Sequence, residues 1–363
     1  MATTAQFQRQ SAASGTGPSA DAVSLADKVA FLSAADGYPH PARDLERKET
    51  HMSWVFLAGD KVHKLKKPVR FPYLDYSTLA KREAACRAEL ALNRRLAPHV
   101  YEAVVPLVQT PQGLAIGGAG EIVDWLVVMR RLDESRTLEH VLATHELAAR
   151  QLDHVVATLV EFYRRAHAVF VSPATHLINW HRSLDYNKRV LLDPRFALPA
   201  GLIRRIDRAQ RRFLATRSRL IAGRMRGRHI VDGHGDLRPE HIWLDDPVTI
   251  IDCLEFNAGL RAVDPFDEIA YLCVECERLG GAWASAHIRR RAIHALRDHL
   301  SQELFTFYRC HRATLRARLA IAHLYEPTPR TPEKWPRRAR EYLRIAAADA
   351  VRLERLVRTR ADR

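Results

Sequence analysis

Cysteine is scarce in this sequence: five among 363 residues, at positions 86, 253, 273, 276 and 310. That excludes the disulfide framework of a small secreted domain. Only Cys273 and Cys276 are spaced as a CxxC, and a zinc site needs two further ligands at matching spacing. The pair lies in the apolar run EIAYLCVECERLGG, where small buried side chains suit a helix. No apolar stretch reaches the roughly 18 residues a membrane-spanning helix needs. The opening MATTAQFQRQSAASGTGPSADA lacks a basic segment followed by an apolar one, so no secretory signal is read there. A cytoplasmic protein with a disordered start over residues 1–22 is therefore expected. Internal repeats and a GxxxxGK[ST] phosphate loop are also absent.

What is present is a core-forming composition with a basic excess. Hydrophobic residues make up 47% and aromatics 8%, enough for one or two globular domains. Lysine and arginine number 57 against 42 acidic residues, a formal charge of +15, which calls for an anionic partner. Much of the excess falls in arginine-rich helical segments such as RRIDRAQRRFLATRSRLIAGRMRGR and the tail after residue 331, read as solvated helix faces. No zinc finger or base-stacking motif accompanies it, so nucleic acid is not the expected partner.

Along the chain, residues 23–35 have helical spacing. ERKETH and SWVFLAGDKVHKLKKPV read as a strand followed by two strands about a Gly-Asp turn. STLAKREAACRAELALNRRLAP opens with a Ser/Thr cap and stops at Pro98, a single helix. YEAVVPLVQ and EIVDWLVVMRRL add two strands around a glycine-rich turn at 117–120. Five strands and one helix thus form a first lobe over 23–135. From Arg136 the pattern is helical, including 147–170 and a long stretch at about 284–325, with one short apolar interruption at 229–256.

That interruption, HIVDGHGDLRPEHIWLDDPVTIIDCLEF, carries the chemistry. Two apolar segments flank a polar loop and gather Asp236, Asp252 and Glu255. Phosphoryl transfer needs one carboxylate to orient an acceptor hydroxyl and others to hold Mg²⁺ on the phosphates, with cations offsetting the equatorial oxygens. The alternation Asp232, His234, Asp236 also admits a binuclear metallo-hydrolase, although no later HxH ligand set appears.

The segment HGDLRPEH at 234–241 resembles the catalytic loop of protein kinases and, with glycine after histidine, that of the aminoglycoside phosphotransferase family. The resemblance implies an α+β, two-lobed protein-kinase-like fold: a β-rich N-lobe, a helical C-lobe over 136–330 and a basic C-terminal helix over 331–363. It implies ATP and Mg²⁺ as cofactors and a small hydroxyl-bearing acceptor. Asp236 matches the catalytic aspartate, and Arg238 stands where protein kinases place a lysine that reaches the γ-phosphate. His241 replaces the metal-binding asparagine. IIDCLEF resembles the segment supplying the principal Mg²⁺ aspartate, which maps onto Asp252, with Glu255 as a second ligand. VDPFDEIA resembles the family's GDPxxDLA, with Asp264 and Asp267. In the first lobe the family pairs a strand lysine with a helix glutamate. Lys64 and Lys66 share a face, and Lys64 is chosen because Val62 would then roof the adenine; Glu89 is its partner and Glu83 the fallback. The usual glycine-rich loop is replaced by ETHMSW, with Thr50, His51 and Ser53 as phosphate-side donors. ETHxSWV, YKxKKPV, ELxLNRRLAP, HGDLRxEH and IDCxEFN together resemble a bacterial branch of that family whose members often carry a C-terminal P-loop ATPase domain. In the late segment FYRCHRATLRARL, Arg312 and Arg316 lie one helical turn apart and are candidate anion binders or surface ion-pair residues. An ATP-binding module without turnover is the alternative, given the missing asparagine and glycine-rich loop.

Overall fold

A computed structural model describes residues 23–71, 73–298, 300–326, 328–329 and 331–359. The segment 1–22, expected to be disordered, lies outside them. The described residues divide into two compact units, one comprising those of 23–70, 76–86 and 103–131, the other those of 71–75, 87–102 and 132–359.

The first unit is built on a six-stranded sheet. Strands β1 (Glu46–Glu49), β2 (Ser53–Ala58) and β3 (Lys61–Lys66) form the expected antiparallel meander, turning at Gly59 and Asp60. Then come β4 (Tyr101–Thr110), β5 (Gly113–Ile116) and β6 (Glu121–Arg130), in the sheet order β1-β2-β3-β6-β4-β5. β5 is the strand the sequence reading missed. Helix α1 (Leu25–Leu32) starts with a reciprocal capping box between Ser24 and Asp27. Its Val29 and Leu32 pack with Tyr38, Phe56, Leu65 and Leu126 in the core. Asp124, 1% exposed on β6, accepts Lys28 Nζ from α1 at 2.8 Å and Arg82 Nε from α2 (Leu79–Asn93) at 2.7 Å. A carboxylate this deep is tolerated because two cations compensate it.

The second unit is helical: α3 (Leu138–Ala143), α4 (Ala149–Arg165), α5 (Pro173–Leu191), α6 (Ala200–Arg226), the short α7 (Ala258–Arg261), α8 (Pro265–Arg278), α9 (Ala282–Leu296), α10 (Gln302–Ala322) and α11 (Lys334–Thr359). The stretch expected to be helical at 284–325 is two helices, α9 and α10, separated at 297–301, where Arg297 is left-handed (φ 50°). Helix α8 is buried all round from Pro265 to Cys276, the pattern of a central helix. Its Cys273 and Cys276 are free thiols inside this core, and burial pushes Cys273 up to about 11. α11 buries Tyr342, Leu343, Ala346, Ala350 and Leu353 in the core while its arginines face outward. Two small ladders interrupt the helices, β7 (Val231–Asp232) with β10 (Ala262–Val263), and β8 (Ile242–Trp243) with β9 (Thr249–Ile250).

Candidate active site

The loop between β7 and β8 is fixed from beneath by one carboxylate. Glu268, fully buried on the first turns of α8, accepts the backbone N–H groups of His234 (3.1 Å) and Gly235 and the hydroxyl of Tyr163 (3.0 Å). Gly235 has φ +88°, open to glycine at little cost, and a Cβ on Gly233 would meet Val263 at 2.5 Å and Glu268 at 2.8 Å. The anchoring acid within VDPFDEIA is therefore Glu268. Asp267 instead makes a two-point ion pair with Arg312 (2.8 and 2.6 Å). Asp264 caps α8 through the Phe266 N–H (3.0 Å) and grips Arg224 at 2.6 and 2.9 Å.

Asp236 presents its carboxylate at the top of this loop. Oδ1 accepts the Tyr271 hydroxyl from α8 at 2.9 Å, and Oδ2 lies 3.1 Å from Arg238 Nε. Burial alone raises its pKa, but the Arg238 guanidinium, with His241, Arg316 and the Tyr271 hydroxyl, holds the carboxyl below its ordinary value. It is thus anionic at neutral pH and able to accept an acceptor's proton. Arg238 is itself shared with Glu240, Nη1 to Oε1 at 2.8 Å. Tyr271 was not singled out from the sequence, because one tyrosine in an apolar helical run reads as core.

Histidine tautomers follow from the hydrogen bonds. His234 Nε2–H donates to the Ile251 carbonyl (2.9 Å) and its Nδ1 accepts the Asp236 N–H (3.3 Å); burial drives this imidazole down to about 4, so it is neutral. Asp232 is bound on both oxygens, to Arg261 Nε at 2.8 Å and Arg95 Nη1 at 3.1 Å. Two of the three groups a binuclear hydrolase would use are thereby occupied.

His241 donates Nδ1–H to the Asp236 carbonyl (2.9 Å) and accepts Arg238 Nη2 at Nε2 (3.0 Å). Arg238 thus takes the Nε2 lone pair, and Asp252 Oδ2 lies 3.5 Å from the same nitrogen. The Asp252 carboxylate is 45% exposed and its backbone is left-handed, φ +64°. Its neighbours hold it there: the Asp252 N–H donates to Tyr101 Oη (3.3 Å), the Cys253 N–H to Asn93 Oδ1 (2.8 Å) and the Leu254 N–H to the His234 carbonyl (3.1 Å). Such strain concentrates at functional positions. Glu255 follows on the same loop, half-buried. The half-exposed Asp252 carboxylate and the Glu255 carboxylate on the same loop are hard oxygen donors of the kind Mg²⁺ or Mn²⁺ takes.

In the first unit, Lys64 is half-buried on β3, opposite Val55 and Val127, whereas Lys66 is 1% exposed, with Nζ 4.9 Å from the Tyr76 ring. Glu89 on α2 is likewise 1% exposed. Arg316 bonds Glu275 Oε1 at 2.6 Å, so Arg312 and Arg316 both serve buried ion pairs.

The fold recurs in solved structures. A choline/ethanolamine kinase family protein from Mesorhizobium loti superimposes with a TM-score of 0.50, at 17% identity, covering 90% of this chain and 98% of that one. The choline kinase of Cryptosporidium parvum does so with a TM-score of 0.50 at 8% identity, over 92% and 97% of the two chains. The chain has a protein-kinase-like fold. The kinase-like architecture implied by HGDLRPEH is thereby present. No family model matches the sequence. Uncharacterized proteins of Mycobacterium tuberculosis and Mycobacterium bovis are each 32% identical over 324 residues, 86% of this chain. The chain spans 59% of the length of these relatives. Among the described residues no helix is long and apolar enough to cross a membrane.

Proposed function

We propose that this kinase-like chain is an ATP-dependent phosphotransferase acting on a hydroxyl of a small molecule. The reading is carried by one observation. The loop that presents Asp236 also presents His241, whose Nε2 lies 3.5 Å from Asp252 Oδ2, so this loop and the turn bearing Asp252 lie side by side, as a proton acceptor and a metal-holding carboxylate would need to. Asp236 receives the acceptor's proton as the acceptor oxygen bonds to the γ-phosphorus. The bond from that phosphorus to the β–γ bridging oxygen breaks, and ADP leaves with the electron pair. Arg238, beside Asp236, offsets charge on the transferring group. Asp252 and Glu255 would hold the divalent ion, joined by His241 where Arg238 gives up its hydrogen bond to Nε2, and the ion when bound neutralises phosphate charge. For the strand cation, burial favours Lys66 over Lys64, because an ammonium withdrawn from water needs charge compensation.

The test is ADP release over a panel of small alcohols and sugars, with ATP binding measured alongside. Asp236→Asn is expected to remove at least 10³-fold of the turnover, on the scale of a lost general base and its orientation, while retaining ATP binding. Asp252→Ala should lose turnover and weaken metal-dependent nucleotide binding together. Wild-type turnover in Asp236→Asn sinks the assignment. Nucleotide-dependent stabilisation with no ADP release from any acceptor supports the ATP-binding module instead.

A further inference from the structure

Helix α10 carries four arginines, Arg309, Arg312, Arg316 and Arg318, within about 14 Å of helix axis, and three of them are matched by acids. Arg309 meets Asp349 (3.1 Å) and Glu277 (2.6 Å), Arg312 meets Asp267 (2.6 Å), and Arg316 meets Glu275 (2.6 Å). Arg318 is the exception. Its Nε donates to Asn187 Oδ1 at 2.8 Å and its guanidinium lies 4.5 Å from the Tyr186 ring centroid, and among the described residues it has no acidic partner. Burial lowers its pKa, and the fields of Tyr186 and Tyr73 oppose that only in part. A half-buried guanidinium flanked by an aromatic ring and a neutral amide is short of one anion.

The surroundings connect this cation to the reactive loop. Tyr73, 50% exposed, stacks on Phe71 (5.7 Å) and packs against Phe256 (5.9 Å), the residue that follows Glu255. Tyr73 also lies within the electrostatic reach of Tyr186 and Arg318. Tyr73 thus lies in ring contact with the loop bearing Asp252 and Glu255 and within electrostatic reach of an arginine that has no acidic partner among the described residues.

We propose that Arg318, with Tyr186 and Tyr73, is the recognition site for an anionic group, a carboxylate or a phosphate monoester, on the phosphoryl acceptor. The assignment of this ligand as the acceptor rests on the phosphotransferase reading; the anion site itself does not. Tyr186 holds the guanidinium by cation–π contact and a side-chain hydrogen bond, Asn187 fixes its Nε edge, and the N–H groups not so engaged would bind the anion. The acceptor oxygen would then be set by the distance between its anionic end and Asp236.

Calorimetric titration of the full chain, without ATP, against glycerol, glycerate, glycerol 3-phosphate and choline tests the site independently of turnover. We expect glycerate or glycerol 3-phosphate to bind at least tenfold more tightly than glycerol, about 1.4 kcal/mol, and the two anionic ligands to show which group is preferred. Arg318→Gln should erase the preference and Arg318→Lys should keep part of it. Arg165→Gln, an exposed arginine on α4, controls for bulk charge and should change nothing. Equal binding of all four ligands, tighter binding of choline, or a preference that survives Arg318→Gln overturns the proposal. ADP release with the same ligands separates the two readings. No release beside a retained, Arg318-dependent preference removes the phosphotransferase reading and leaves the anion site. Release from neutral alcohols with no such preference does the reverse.

Discussion

Two residues on β3 and two around Asp252 carry the sharpest tests at the scale of the side chain. Lys66 is 1% exposed and Lys64 half-buried, so Lys66→Ala should cost both stability, about 1–3 kcal/mol for the buried stem and the contact with the Tyr76 ring that it loses, and at least tenfold in ATP affinity. Lys64→Ala should cost little of either. Urea melts with nucleotide titration decide it, and the opposite ordering restores the sequence-based choice of Lys64. At the metal position, the imidazole of His241 suits Mn²⁺ better than Mg²⁺, while the Glu255 carboxylate serves both. Glu255→Gln is therefore expected to lower turnover more than tenfold with Mg²⁺, and His241→Asn to retain substantial activity. Assays across both ions check this; an inactive His241→Asn beside an unaffected Glu255→Gln would make His241 the essential ligand.

Helix α8 is the element on which the reactive loop rests, and it shows what could and could not be read from the chain. HGDLRPEH and IIDCLEF were legible because spacing along a loop survives folding, and the structure joins Asp236, His241 and Asp252 accordingly. Within α8 the sequence matched Asp264 and Asp267 to the family's motif and did not single out Glu268. Asp267 and Glu268 are adjacent acids, and only the helix's rotation decides that Glu268 points under the loop while Asp267 meets Arg312. Tyr271 escaped notice because three residues on is the same helix face and nothing in an apolar run marks a hydroxyl as functional. β5 was missed for a related reason: GLAI is short and half-buried throughout, without the alternation that marks a strand. Glu268→Gln should expose the role of α8. It replaces an acceptor with an amide that presents donors to donors, so a stability loss of about 1.5–3 kcal/mol is expected, with kcat falling more than KM. An unchanged melt and unchanged kcat would show that the loop is held elsewhere.

For the molecule as a whole, stability should fall in mild acid. His63 and His234 sit in different units, and burial lowers each to about 4, against an ordinary value near 6.5. As pH falls below 6.5 the unfolded chain takes up these protons while the native state does not. Stability is then lost progressively down to about pH 4, by roughly 3 kcal/mol for a fully buried imidazole. Urea midpoints at pH 7.5 and 5.0 for wild type and His234→Gln measure it, and a wild-type curve flat over that interval contradicts the neutral-imidazole assignment. The +15 formal charge adds self-repulsion, since interior ion pairs such as those of Asp124, Asp264 and Asp267 take up acids and bases together and leave the basic excess uncompensated. The left-handed backbone at Asp252 belongs on this scale too. Its conformation is one that glycine adopts freely, so Asp252→Gly should abolish turnover yet leave the protein equally or more resistant to heat, by a few tenths to about 1 kcal/mol. An inactive variant that outlasts its parent would mark this position as a trade-off, a place where selection has kept reactivity at the expense of robustness.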